Sequence, residues 1–176
     1  MLRNRISLRL GASADAPAIG AMSRDLIEAG LGWKWTPARI GNQIRRRDTN
    51  VLVACEGLRQ VGFAIMQFHE DSAHLLLLAV RNGYQRRGIG RTLLKWQHAT
   101  ADVAGIATIQ LEVREHNHEA RRFYRALGYE DVVLLQNYYR GKESAVRMAR
   151  FLRMSGNLAD CVAASTGPAL RPDSDR

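Results

Sequence analysis

Apolar positions along the chain follow two different periods. Short alternating or continuous apolar runs predict strands, whereas apolar positions three and four residues apart predict helices. The predicted strands are residues 6–10, 51–55, 61–68, 75–80, 108–113, 132–135 and 145–149. The predicted helices begin after Ser13 or Asp15, after Thr36, at Gly90 and at Glu119. The pattern therefore predicts a mixed α/β sheet with helices on both faces.

A glycine-rich turn separates the strand at residues 75–80 from the helix that begins at Gly90. It consists of Gln85, Arg86, Arg87, Gly88, Ile89 and Gly90, and Arg91 follows. Glycine lets a ligand approach the backbone, and the first turn of a helix presents N–H groups without internal partners. Together with the arginines, these N–H groups favour an anion such as a pyrophosphate.

Two familiar phosphate loops do not match this turn. A Walker loop requires Gly-Lys followed by Ser or Thr, and here Arg91 follows Gly90. A dinucleotide fingerprint requires a third glycine, where this chain has Leu93. An ordinary loop, with glycines for turning and arginines for solubility, is the alternative interpretation.

The spacing Gln-x-x-Gly-x-Gly instead resembles the acetyl-coenzyme A signature of the GNAT superfamily of N-acetyltransferases. A second segment resembles that family as well, and the resemblance covers roughly residues 50–150. Its matching positions are Leu111, Glu112, Val113, Arg114, Asn117, Phe123, Tyr124, Leu127, Gly128 and Tyr129. The ribosomal-protein N-terminal alanine acetyltransferases are the most similar subgroup, and Tyr138-Tyr139-x-Gly141 and Ala145-x-x-Met148 also match it.

This resemblance implies the GNAT acyl-CoA N-acyltransferase fold, a mixed, mostly antiparallel sheet in which one parallel pair of strands splays apart. It also implies acetyl-CoA as cosubstrate and direct attack by a primary amine in a ternary complex, with a protein or peptide N-terminus as the expected acceptor. The cofactor-binding residues that it implies are Leu78, Ala79 and Val80 through their backbone, the turn from Gln85 through Arg86, Arg87, Gly88, Ile89 and Gly90 to Arg91, and Asn117 and Tyr124.

Glu112 is the candidate base that deprotonates the amine. It is a lone acid among apolar strand neighbours, where partial burial would raise its pKa toward a useful value. The alternative is an outward-facing acid paired with Arg114 or a lysine. His116 and His118 are rival bases, and we expect both to be exposed.

Tyr124 is the candidate acid, because the pKa of a phenol lies close to that of a thiol leaving group. Its alternative role is packing, since it shares an apolar helix face with Phe123 and Leu127. Asn117 would bond the pantetheine arm or cap the following helix. Trp33, Trp35 and the two tyrosines at 138 and 139 would line the acceptor side or serve as ordinary core or surface aromatics.

Length and composition predict one domain over residues 1–154, followed by a poorly packed tail over residues 155–176. No apolar run is long enough to span a membrane. Cys55 and Cys161 lack metal-ligand spacing, so we expect reduced thiols, no metal site and a cytoplasmic protein.

The formal net charge is +9, and part of it lies in the glycine-rich turn. Arg45–Arg47 and the basic residues of 140–153 would face an acidic or ribosomal substrate or form solvated surfaces. We do not expect a nucleic-acid partner, and we expect a monomer or homodimer. The alternative functions are acetylation of a small amine (an amino acid, polyamine or aminoglycoside) and a non-catalytic acetyl-CoA or nucleic-acid-binding module.

Overall fold

A computed structural model describes residues 5–139, 141 and 143–153, which form two compact units divided between Ile106 and Ala107. The first unit contains β1 (Ile6–Leu10), α1 (Ala16–Leu26), α2 (Pro37–Arg45), β2 (Thr49–Glu56), β3 (Arg59–Phe68), β4 (Ser72–Val80) and α3 (Ile89–Val103). The second contains β5 (Thr108–Arg114), α4 (His118–Arg125), β6 (Glu130–Tyr139) and β7 (Glu143–Phe151). Cys161 and the tail at 155–176 lie outside the described residues, and the single-domain assignment stays a prediction.

The first unit is a four-stranded antiparallel sheet in which β1, β2, β3 and β4 are neighbours in chain order. One face packs against α1 and α2 through a buried core that includes Ile19, Ile40 and Phe63. The opposite face carries Gly62, where a Cβ would lie 3.3 Å from Leu93 of α3. Because successive residues of a strand point to opposite faces, these contacts confirm helices on both faces of this sheet.

The first two helix starts predicted in this unit differ in how they are capped. Thr36 accepts a hydrogen bond from the Arg39 amide at 3.4 Å, and Pro37 occupies the first helical position of α2. Asp15 stands at the N-cap position of α1 but makes no side-chain cap bond. Its carboxylate instead accepts hydrogen bonds from the Ala12 amide and from Arg9, because the arginine is the stronger partner.

The second unit is an antiparallel sheet in the order β5, β7, β6. Its pairing places Glu112 of β5 directly opposite Arg147 of β7. β6 is longer than predicted, since it continues beyond Leu135 through an irregularity that ends at Tyr139. Asn137 lies within that irregularity in a left-handed conformation, with a φ of 54°.

The described residues contain no helix that is long and apolar enough to cross a membrane. They also contain no cluster of three or more His, Cys, Asp or Glu side chains that could hold a metal ion. Cys55 is a buried free thiol on β2.

Candidate active site

The glycine-rich turn of the first unit ends at the N-terminus of α3. Gly88 is the N-cap residue, with a φ of 80°, and its carbonyl accepts hydrogen bonds from both the amide and the hydroxyl of Thr92. The amides of Ile89, Gly90 and Arg91 form the first helical turn and have no partner within the helix. No side chain caps this end of α3, so its amides can serve an anionic ligand.

The remaining residues of the turn are exposed, and one of them anchors it. The amide nitrogen of the Gln85 side chain donates to the Val80 carbonyl at 3.1 Å and to the Asn82 side chain at 3.2 Å. Gln85 therefore ties the turn to the end of β4. Arg86 adopts a left-handed conformation with a φ of 61°, which is uncommon for a residue with a Cβ.

Arg87 is supported by two residues that the sequence analysis did not single out. Its guanidinium lies 3.5 Å from the Glu56 carboxylate and 4.9 Å from the centre of the Tyr84 ring. The Tyr84 hydroxyl donates to Glu56 at 2.7 Å, so the three side chains form one cluster. Glu56 lies at the end of β2, distant in sequence from the turn, and no local motif links them.

The backbone amides of β4, the strand before the turn, point alternately toward β3 and away from it. The Arg81 amide donates to the Val61 carbonyl at 2.8 Å, and Ala79 is the register partner of Phe63. In an antiparallel pair this alternation directs the Ala79 amide toward β3 and the amides of Leu78 and Val80 away from it. Of the three predicted backbone donors, only Leu78 and Val80 are thus oriented to serve a ligand.

These features fit the anionic ligand that the resemblance implies. A Cβ at Gly88 would meet no protein atom within 4 Å, so the space beside this residue is open. Open space, helical amides and the exposed side chains of Arg86 and Arg91 together suit a pyrophosphate group. Acetyl-CoA supplies that group, and Gln85 to Arg91 are the residues that would hold it.

In the second unit, Glu112 is paired with an arginine other than the predicted Arg114. The Arg147 Nε donates to the Glu112 Oε1 at 2.8 Å, and the two side chains are only 4% and 7% exposed. Arg114 contacts Glu143 instead, at 3.5 Å. Burial favours the neutral form of a carboxyl group, whereas a neighbouring guanidinium favours its charged form, so the role of Glu112 as base stays a prediction.

Tyr124 lies on α4, and its ring packs against other aromatic side chains. Its ring lies edge-on to Phe123 and to Tyr129, with centroid separations of 5.2 and 5.7 Å. Desolvation around the phenol raises the pKa of Tyr124. A phenol with a raised pKa stays protonated at neutral pH, so it retains the proton that a general acid must give.

Asn117 caps α4, as one of its two predicted roles required. Its side-chain oxygen accepts a hydrogen bond from the Ala120 amide at 3.0 Å. The role of Asn117 toward the pantetheine arm stays a prediction. Both rival bases, His116 and His118, are exposed, as expected.

Two tyrosines of β6 lie in the electrostatic environment of Glu112. Tyr138 and Tyr139 are half-buried, and their rings meet at right angles with centroids 5.0 Å apart. Burial raises the pKa of Tyr138 to about 12, with a further contribution from Glu112 that Arg147 partly offsets. Both phenols therefore lie close enough to Glu112 for its charge to act on them.

Comparison with known proteins identifies the family. A family model described as an acetyltransferase (GNAT) domain matches residues 47–131. The [ribosomal protein bS18]-alanine N-acetyltransferase of Escherichia coli (strain K12) is 35% identical over 118 residues, which cover 65% of this chain and 79% of the relative. The chain belongs to the GNAT family of acetyltransferases.

Other GNAT proteins extend the match. The enzyme of the same name from Haemophilus influenzae is 36% identical over 122 residues, covering 67% of this chain and 82% of the relative. A crystal structure of the Escherichia coli ribosomal-protein-S18-alanine N-acetyltransferase has a TM-score of 0.75 and 27% identity, and covers 88% of this chain and 98% of that one.

Membership of the GNAT family confirms the predicted α/β fold, the N-acetyltransferase activity and acetyl-CoA as cosubstrate. The individual roles of Glu112, Tyr124, Asn117 and the residues of the glycine-rich turn stay predictions, as does the splay of a parallel strand pair.

Proposed function

We propose that this N-acetyltransferase acts on the α-amine of a protein or peptide N-terminus. The observation that carries the proposal is the 35% identity to an enzyme named [ribosomal protein bS18]-alanine N-acetyltransferase. The oriented carboxylate of Glu112, next to Tyr138 and Tyr139, is compatible with such an acceptor.

Acceptor chemistry gives this proposal a physical basis. An α-amine has a pKa near 8, whereas a lysine side chain has one near 10.4, so more of the α-amine is free at neutral pH. A carboxylate that is held by an arginine is a weak proton acceptor. Glu112 therefore suits an amine that needs little help to lose its proton, and Tyr124 retains a proton for the departing thiolate.

Acetyl-CoA supplies the acetyl group when bound, and the chain contributes binding and proton transfer. The first helical turn of α3 and the amides of Leu78 and Val80 would hold the ligand in the first unit. Glu112 would take the proton of the attacking amine, directly or through water, in a ternary complex. A cytoplasmic location, like a monomeric or homodimeric state, stays a prediction.

The test is mass spectrometry of a mixed set of acceptors incubated with the protein and acetyl-CoA. The set contains peptides with a free α-amine and no lysine, peptides with a blocked α-amine and one lysine, and a polyamine. We expect acetylation of the free α-amines, with peptides that begin with alanine among the best. Acetylation confined to the polyamine would overturn the proposal and favour the small-molecule alternative.

A further inference from the structure

The Glu112–Arg147 pair joins two neighbouring strands of the second unit at one register position. Glu112 of β5 and Arg147 of β7 are Cα partners, and the Nε to Oε1 distance is 2.8 Å. Both side chains are more than nine-tenths buried. A buried charge is costly unless it is paired, so each of these residues depends on the other.

Ionisable groups of β6 and β7 lie near Glu112 in the described part of this unit. From β6 they are the phenols of Tyr138 and Tyr139, both of which interact electrostatically with Glu112. From β7 it is Arg147. The other nearby arginine, Arg114, lies over the Tyr139 ring and contacts Glu143. Arg147 is the cation that pairs with this carboxylate directly.

We propose that Arg147 is a positioning residue that fixes the orientation of Glu112 and keeps it ionised as the base for the acceptor amine. This inference rests on the proposed function, in which Glu112 takes the amine proton. It adds a residue that lies 35 positions further along the chain and outside both signature segments.

Electrostatics predicts the direction in which loss of Arg147 shifts the protonation of Glu112. A neighbouring guanidinium favours the carboxylate over the carboxylic acid, and burial without that partner favours the acid. With Arg147 present, the ionised form of Glu112 is the favoured one. Without it, the carboxyl group takes up its proton at higher pH, and the acidic limb of the activity profile moves upward.

Two substitutions separate the charge of Arg147 from its shape. Arg147→Met removes the charge and keeps an unbranched chain, whereas Arg147→Lys keeps the charge and loses the planar guanidinium. Arg122→Met is the matched control, since it removes one positive charge from an exposed position in the same unit. Circular dichroism checks that each variant is folded.

The primary measurement is the titration of the Glu112 carboxyl group by carbon-13 NMR, assigned by its loss in Glu112→Gln. We expect the midpoint in Arg147→Met to lie about 1–3 pH units above that of the wild type. The acidic limb of kcat, measured with saturating peptide, should move by the same amount. Arg147→Lys should restore most of both shifts, and Arg122→Met should change neither.

Three results would overturn the inference. One is an unchanged Glu112 midpoint in Arg147→Met or, if that variant is unfolded, a midpoint in Arg147→Lys about 1 unit or more above the wild type. Another is a Glu112 midpoint that shifts in Arg147→Met while the acidic limb of the kcat profile does not. The third is an equal shift in Arg122→Met. Wild-type protein that acetylates no peptide would refute the proposed function instead, and the NMR titration would still report on the pair.

Discussion

Tyr124 is the single side chain whose two roles can be separated by removing one atom. Tyr124→Phe keeps the ring and therefore the edge-on contacts with Phe123 and Tyr129. We expect this variant to fold and to bind acetyl-CoA like the wild type. Its kcat should fall by roughly 10²–10⁴-fold, the range for loss of general acid–base catalysis.

Steady-state kinetics with saturating peptide measures this loss, and calorimetry measures acetyl-CoA affinity in the same preparation. Because burial raises the pKa of Tyr124, the wild-type profile should show no loss of activity from its ionisation below about pH 10. An unchanged kcat in Tyr124→Phe would show that Tyr124 is not the general acid and contributes only packing.

At the scale of residues, the sequence revealed Glu112 but not its partner. A lone acid among apolar strand residues stands out locally, since such a position is costly unless something compensates. Its partner, Arg147, is set by the register between β5 and β7, and a shift of one residue would move it to the other face. Local pattern carries no information on that register, so the nearer Arg114 was the wrong choice.

At the scale of elements, the binding of acetyl-CoA at the glycine-rich turn and α3 can be tested with a substitution and a matched control. Gly88→Glu and Gly57→Glu each place the same side chain at a positive φ, 80° and 60°, where a Cβ meets no atom within 4 Å. Both should lose roughly 1–2 kcal/mol of stability from the left-handed backbone. Only Gly88→Glu adds negative charge where the pyrophosphate is expected to bind.

We therefore expect Gly88→Glu to weaken acetyl-CoA binding by about tenfold or more, since like charges near a protein surface repel by about 1–4 kcal/mol. Gly57→Glu should bind almost as the wild type does. Isothermal calorimetry on the three proteins measures the difference. Equal affinity in all three would show that the pyrophosphate does not lie at Gly88.

The observed bounds of the helices and strands show how far the local sequence pattern predicts them. β1 was predicted at its observed bounds, and α3 begins one residue before the predicted Gly90. β6, in contrast, was predicted over 132–135 and extends over Glu130–Tyr139. Its additional residues include the polar Gln136 and the left-handed Asn137, and neither favours a strand by propensity. Pairing with β7 at Leu135 and again at Tyr139 carries the strand across these residues.

At the scale of the whole molecule, the net charge of +9 is what remains when 17 acidic residues are set against 26 basic ones. Arg46 is paired with Asp48, and Arg121 and Arg125 share Asp131. Guanidinium groups in such pairs are held by carboxylates and are less free to make the uniform phosphate contacts of non-specific nucleic-acid binding, although the net charge is unchanged. A specific anion site should therefore stabilise the protein more than a generic anion does.

Acetyl-CoA should raise the melting temperature of the whole protein. A ligand that binds only the native state, at a concentration of 100 times its Kd, stabilises that state by about 2.7 kcal/mol. For a chain of 176 residues this corresponds to a rise of roughly 5–11 °C. Differential scanning fluorimetry measures the shift, with inorganic pyrophosphate at the same concentration and the Gly88→Glu variant as controls. An undiminished rise in Gly88→Glu would mean that anion binding elsewhere, rather than at the turn before α3, stabilises the fold.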